Sequence, residues 1–179
     1  MRVIAGEARG FPLKAPRGLG TRPTSDKVRG AIFSMLASMG VQPERVLDLY
    51  AGTGALAIEA LSRGATEAVL VERSPAACAV IRENLARTKL AARARLIQGD
   101  VERVLPRLDG PFDVVFLDPP YADERVDAVL AALDAHGIIN ERSVVVYEHS
   151  KRRQPPEACG PLTRYLTRCH GDTCVTIYH

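Results

Sequence analysis

A chain of 179 residues is one domain of ordinary length, large enough to bury a core but small for a cofactor domain joined to a separate substrate domain. With 46% apolar and 25% charged residues it is not a disordered chain; Glu7 and Arg9 interrupt the first residues and no long apolar run follows, so neither a signal peptide nor a membrane span is expected, and the protein reads as cytoplasmic. Net charge is only +3, yet residues 1–29 hold seven Lys or Arg against two acids, and the remainder seventeen against nineteen, so the basic excess lies in one arm.

Residues 2–15 (RVIAGEARGFPLKA) predict two short strands around a Gly-rich turn, a hairpin appended outside any βα repeat. Arg2, Arg9, Lys14, Arg17, Arg22, Lys27 and Arg29 form a candidate phosphate-contacting surface, acting by counterion release. The competing reading is a solvated charged face. After the loop TRPTS, Val28, Ala31, Ile32, Met35, Leu36 and Met39 recur at helical spacing, with Thr24 or Ser25 as cap, Asp26 in the first turn and Gly40 as terminator.

From residue 46 the units alternate. A strand at 46–50 stops at a glycine-rich corner, and a helix at 54–63 runs to Gly64. Gly52, Gly54 and Ala57 match the G-x-G-x-x-G/A turn of nucleotide-binding folds: Gly52 for the tight turn, Gly54 to remove a Cβ where a ligand would press, Ala57 for close packing. A second strand, 68–72, ends in Glu72, eighteen positions after Gly54, where an acid can accept both hydroxyls of a ribose. That context suits NAD and S-adenosylmethionine equally. Ser74 and Pro75 open a helix at 75–87 whose Cys78, Ile81 and Leu85 face the core; a strand at 94–98, a short helix at 101–107 and a strand at 112–117 follow. Asp100 can cap the short helix or, with the Val101 amide, meet the edge of an adenine. Asp48, an acid inside an apolar strand, needs a partner: a ligand ammonium or the loop backbone.

The fourth strand runs directly into Asp118, Pro119, Pro120 and Tyr121, at the carboxyl edge of the sheet where open α/β folds place ligands. An exocyclic base amine is a poor nucleophile because its lone pair is delocalised into the ring. Acceptors that hold its N–H groups and favour a pyramidal nitrogen correct this, and the Asp118 carboxylate with a carbonyl near Pro119 supplies them. Two prolines stiffen the edge, and the Tyr121 ring offers a stacking surface for an extruded base. A helix near 124–135, a strand at 143–147 and a basic loop at Lys151, Arg152 and Arg153 lead to a terminal hairpin, 164–170 and 173–179. Its register would put Tyr165, Thr167, Cys169, Cys174, Thr176 and Tyr178 on one face, with Cys169 and Cys174 close enough for oxidation to link them. Free thiols are nevertheless the default, and without any C-x-x-C spacing no zinc site is expected.

The chain resembles S-adenosylmethionine-dependent methyltransferases carrying a (D/N)PP(Y/F) motif, and more closely the RsmD-type 16S rRNA (guanine-N2)-methyltransferases of bacteria. The resemblance runs through VIAGEARGFPLKAP, RPTSDKVRGAIFSML, LDLYAGTGALAIEALSRGA, VLVERS and DPPY. It implies a Rossmann-like fold with a seven-stranded, mainly parallel sheet ending in an antiparallel hairpin. Residues 1–40 would form an RNA-binding extension and residues 41–179 the methyltransferase domain. It also implies S-adenosylmethionine held by Asp48, Ala51, Gly52, Gly54, Glu72, Arg73, Asp100 and Val101, and a base held by Asp118, Pro119, Pro120 and Tyr121. Arg9, Arg22, Thr24, Lys27 and Arg29 would meet RNA, either free or in an assembling 30S particle, with the enzyme a monomer that needs no metal. The DPPY element also serves adenine-N6 methyltransferases of RNA or DNA, and the glycine corner alone fits an NAD-linked oxidoreductase. An assembly factor that keeps the fold without activity is a third alternative.

Overall fold

Short strands that are apolar on both sides are stable only between two layers of helix. The computed structural model describes residues 1–17, 24–120 and 123–179. In chain order its elements are α1 (Asp26–Ser38), β1 (Arg45–Leu49), α2 (Ala55–Ser62), β2 (Glu67–Glu72), α3 (Pro75–Arg87), β3 (Ala94–Gln98), α4 (Val101–Val104), β4 (Val114–Leu117), α5 (Val126–Ala135), β5 (Val144–Ser150), β6 (Ala158–Cys159), β7 (Leu162–His170) and β8 (Thr173–Tyr178). They build one sheet in the order β3-β2-β1-β4-β5-β8-β7-β6, parallel from β3 to β5 and antiparallel beyond. The Rossmann-like class is as expected, but among the described residues the sheet has eight strands rather than seven. The extra one, β6, is two residues long, too short to leave a periodic signal.

Alternation along the strands divides the core. Val46, Leu70, Phe116 and Val146 pack with α1, α2 and α3, whereas Leu47, Val69, Val115 and Val145 pack with α4 and α5. Strand order reverses between β1 and β4, whose last residues, Leu49 and Leu117, lie in register. A crevice opens at such a switch point, beyond the carboxyl ends of the strands. Over β4, Phe33 of α1 packs on Phe116 with ring centroids 5.8 Å apart. Ser25 caps α1 by accepting from the Val28 amide at 3.2 Å, so Thr24, one residue earlier, is set down at the end of β4.

The N-terminal arm is not the appendage its sequence suggests. Its two expected strands reduce to one bridge, Arg2 with Pro12, because α2 takes up much of its backbone. The buried Glu59 carboxylate accepts from the amides of Ile4 and Ala5 at 2.9 and 3.1 Å and from the side chains of Arg29 and Arg63 at 3.3 and 2.8 Å. Ser62 donates to the Ala5 carbonyl at 2.7 Å and accepts from the Ala8 amide at 2.9 Å, and Val3, Ala8 and Leu13 join the core. Asn84 of α3 then donates to the carbonyls of Lys14 and Thr53, each at 3.0 Å, tying the arm to the glycine corner.

At the tip of the last hairpin the expected register holds: Cys169 faces Cys174, and Thr167 faces Thr176 with their hydroxyls 2.8 Å apart. Cys169 and Cys174 form a disulfide where free thiols are the default expectation; Cys78 and Cys159 are free and buried. A bulge between Arg164 and Leu166 breaks the expected pairing of Tyr165 with Tyr178, leaving Tyr165 exposed and Tyr178 buried. Among the described residues no helix is long and apolar enough to cross a membrane.

Candidate active site

β1 ends one residue before expected, because Tyr50 turns into the left-handed region at φ 60°. A bulky residue there is strained and marks a turn held by its surroundings. Gly52 and Gly54 follow at φ 59° and 79°, so both glycines are demanded by conformation. Their surroundings differ. A Cβ at Gly54 would press on Leu70, Ile81 and Ile58 at 3.3 to 3.5 Å, so a side chain there would crowd the core. A Cβ at Gly52 would find only the Tyr50 carbonyl oxygen, at 3.9 Å, so this is the open face of the corner.

Acids and amides surround that face. The Glu72 carboxylate accepts from the Gly52 amide at 2.9 Å and from the Ser74 amide at 2.8 Å, and the Ala51 amide bonds the Val71 carbonyl at 3.0 Å. These bonds brace the corner against β2. Arg73, beside them, is exposed. Asp48 is buried and accepts from the Ala57 amide in the first turn of α2 at 3.1 Å. Burial pushes its carboxyl up to about 8, with a smaller push from Glu72 and an opposing pull from the Ala57 amide. Asp100 caps α4, accepting from the Glu102 amide at 3.1 Å, next to the buried Val101. Its second oxygen lies 3.9 Å from Arg125, which also pairs with Glu102 and Asp123 at 3.4 and 3.3 Å.

Across the switch point, Leu117 is in register with Tyr147, and one residue further Asp118 and Glu148 come side by side on the face that α1 covers. The Thr24 hydroxyl lies 3.0 Å from Asp118 Oδ2 and 2.9 Å from Glu148 Oε2. The single Thr24 hydroxyl thus bridges the two carboxyls. Burial first, and Glu148 second, hold the Asp118 carboxyl well above the usual carboxylate range, while Thr24 pulls the other way. Pro119 is buried and Pro120 exposed. A pocket of about 270 Å³ lies beyond Glu148, between Ser25 and Lys27 of the α1 entry and His170 of the β7–β8 turn.

The structure redistributes the residues expected to meet RNA. Arg9 and Lys27 are exposed. Thr24 sits with the Asp118 and Glu148 carboxyls. Arg29 is fully buried, paired with Asp26 at 2.9 Å and Glu59 at 3.3 Å and donating to the backbone carbonyls of Thr24 and Arg2. It is a brace for the arm, because a buried guanidinium needs such partners and cannot also reach phosphate. Lys14 pairs with Glu83 at 2.5 Å. Arg22 and Tyr121 lie outside the described residues. Sequence reading missed Glu148, although an acid closing the apolar run VVVY is the same signal that singled out Asp48. His149 beside it has both ring nitrogens engaged, with Thr176 Oγ1 at 2.7 Å and the Ser150 carbonyl at 2.8 Å.

A glycine corner on one strand and an Asp-Pro-Pro edge on the next, flanking the switch point of a doubly wound sheet, define a Rossmann-like methyltransferase. The whole chain, residues 1–179, matches the family model described as Conserved hypothetical protein 95, and the chain belongs to that family. It is 38% identical over 181 residues to YlbH of Bacillus subtilis strain 168, covering 99% of this chain and 98% of that one. To Ribosomal RNA small subunit methyltransferase D of Escherichia coli K12 it is 31% identical over 178 residues, covering 99% and 89%. Among solved structures, a hypothetical protein of Thermus thermophilus superposes with a TM-score of 0.85 at 34% identity, covering 99% of this chain and 98% of that one.

Proposed function

We propose that this chain transfers a methyl group from S-adenosylmethionine to the exocyclic N2 amine of a guanine in small-subunit ribosomal RNA. The observation that carries this reading is the Asp118 carboxyl, held on a proline-stiffened edge beside the glycine corner, with its ionisation raised above the usual carboxylate range by burial and by Glu148. The name of the E. coli relative supports the RNA, and the resemblance of the N-terminal segments supports guanine.

The residues at the corner suit the cofactor. Gly52 leaves an open face, Glu72 has lone pairs beyond the two amides it holds and can take ribose hydroxyls, and Asp100 with the Val101 amide can meet an adenine edge. Asp48 is a buried carboxyl with one backbone amide on it, and a ligand ammonium would stabilise its ionised form. Bound there, the cofactor supplies a sulfonium methyl as electrophile. Asp118 and a carbonyl of the Pro119 region hold the amine, and Asp118 takes the proton that the nitrogen sheds as it becomes cationic. Arg9, Arg22 and Lys27 form the RNA-facing surface of an extension over residues 1–40, with residues 41–179 as the catalytic domain, acting as a monomer on free rRNA or on an assembling 30S particle.

The test is incubation with labelled S-adenosylmethionine and undermethylated small subunits, followed by nucleoside analysis. Label on the 2-amino group of a guanine is expected. Label on adenine alone overturns the guanine assignment, and NADH binding tighter than S-adenosylmethionine overturns the methyltransferase reading.

A further inference from the structure

The basic loop after β5 and the tip of the last hairpin lie far from the glycine corner in sequence, yet the fold brings them together beside Glu148. The Lys151 amide donates to the Asp172 carbonyl at 2.9 Å, tying the loop to the β7–β8 turn. Ser150 pairs with Thr173, and the Cys169–Cys174 disulfide joins the two strands one pair below the turn, so loop and tip form one braced unit. His170, Gly171 and Thr173 of that unit line the pocket of about 270 Å³ together with Glu148 and with Ser25, Lys27 and Val28 of the α1 entry. Through Thr24, Glu148 leads on to Asp118.

Charge on this rim is mostly positive. Lys27, Lys151, Arg152 and Arg168 are exposed, and among the described residues none of them has an ion-pair partner. Of the neighbouring acids, Asp172 is exposed at the turn and Asp26 is held by Arg29 at 2.9 Å, while Arg153 is drawn away to Asp127 at 2.7 Å. Arg168 pairs with Val175 and His170 with Thr173, so by the alternation of a strand both stand on the face that α1 covers. His170, which lines the pocket, also keeps its Nε2 shut from solvent without a hydrogen-bond partner among the described residues, and a ligand group can offset the cost of such an atom. A base turned out of its stack into the crevice leaves backbone on both sides of it, and phosphate contacts on both flanks fix that backbone in place. Resting on the rRNA reading above, we propose that the β7–β8 tip and the loop after β5 form a second RNA-contact surface, on which Arg152 and Arg168 hold backbone phosphates on one flank of the target guanine while Lys27 holds the other flank at the α1 entry.

The experiment measures kcat, KM and the salt dependence of binding with undermethylated small subunits. In the double variant Arg152→Ala with Arg168→Ala, loss of one or two phosphate contacts should raise KM about five- to thirtyfold and flatten the slope of log affinity against log salt by about one to two units, with kcat and cofactor affinity held within about twofold. Arg152→Lys with Arg168→Lys keeps both charges and should keep most of the slope. A matched control, Arg107→Ala with Arg142→Ala, removes two exposed cations that precede β4 and β5, toward the amino edge of the sheet, and should leave KM and slope unchanged. An unaltered slope in the Arg152 and Arg168 variant, equal flattening in the control, or a fall in kcat with KM unchanged overturns the proposal while the rRNA reading stands. If wild type places no methyl on a guanine of the rRNA, that reading fails and the proposal fails with it.

Discussion

Asp118 and Glu148 hold one Thr24 hydroxyl between them, at 3.0 and 2.9 Å. Asp118 must be ionised to accept the proton of the amine, and burial with the facing Glu148 raises the pH at which it ionises. The pH–rate profile should therefore climb with pH through the raised value and then level off. Removing the repelling charge in Glu148→Gln should move the climb to lower pH, and a profile flat between about pH 5 and 9 in both proteins contradicts this. The stability linkage has the opposite sense. Folded Asp118 binds its proton more tightly than the unfolded chain does, so its stabilisation is complete below the ordinary carboxylate value and is lost as pH rises through the folded value. Asp118→Ala should lower methyl transfer by about two to four decades while leaving cofactor affinity nearly unchanged.

If Asp48 holds the ammonium of the cofactor as proposed above, it should give cofactor binding a pH dependence. With its carboxyl pushed up to about 8, it is mostly protonated at neutral pH, and an incoming ammonium favours the ionised form. The proton must then leave on binding. Affinity for S-adenosylmethionine should rise about tenfold per pH unit below that value and level off above it. Calorimetry in buffers of different ionisation enthalpy should show release of close to one proton at neutral pH. Asp48→Asn should abolish both the release and the slope.

The two glycines of the corner should separate binding from stability. Gly52→Ala meets only an atom at 3.9 Å, so it should cost about 1 kcal/mol of folding for its left-handed backbone and mainly weaken the cofactor. Gly54→Ala adds crowding against Leu70, Ile81 and Ile58, and should cost about 1 to 3 kcal/mol more. Urea denaturation with and without cofactor distinguishes the two.

Charge on the exposed arm should appear in the salt dependence of RNA binding. Each phosphate contact contributes a slope of about −0.7 to −0.9 in log affinity against log salt. Replacing Arg9 and Lys27 by Ala should flatten the measured slope by about one to two units, and Arg29→Lys should leave it unchanged, since Arg29 is buried. An unaltered slope in the Arg9 and Lys27 variant removes those residues from the interface.

The glycine corner, Glu72 and the Asp-Pro-Pro edge were legible because each is a local pattern, a strand end read within a few residues. The Thr24 bridge was not, since its partners lie 94 and 124 residues away in sequence and meet only through sheet order. Arg29 shows the difference between composition and periodicity. Counted as a charge it belonged to the basic arm, yet it stands three residues before Ile32 and seven before Leu36, on the buried face of α1. The different surroundings of Gly52 and Gly54 were invisible to spacing, because the same glycine answers to an open face, a core or a dihedral angle. The bulge at Tyr165 likewise follows from how β7 meets β8, not from any local residue preference.

Gly6 lies well outside every pattern discussed for chemistry. A single Cβ there would stand 1.8 Å from the Ser62 carbonyl oxygen, at a φ of 86° that other residues avoid. Any side chain must therefore lift the arm from α2 and disturb the neighbouring carboxylate of Glu59, on which Arg29 rests. In a saturation mutagenesis screen scored by ribosome modification, this residue should behave like a catalytic one while taking no part in methyl transfer.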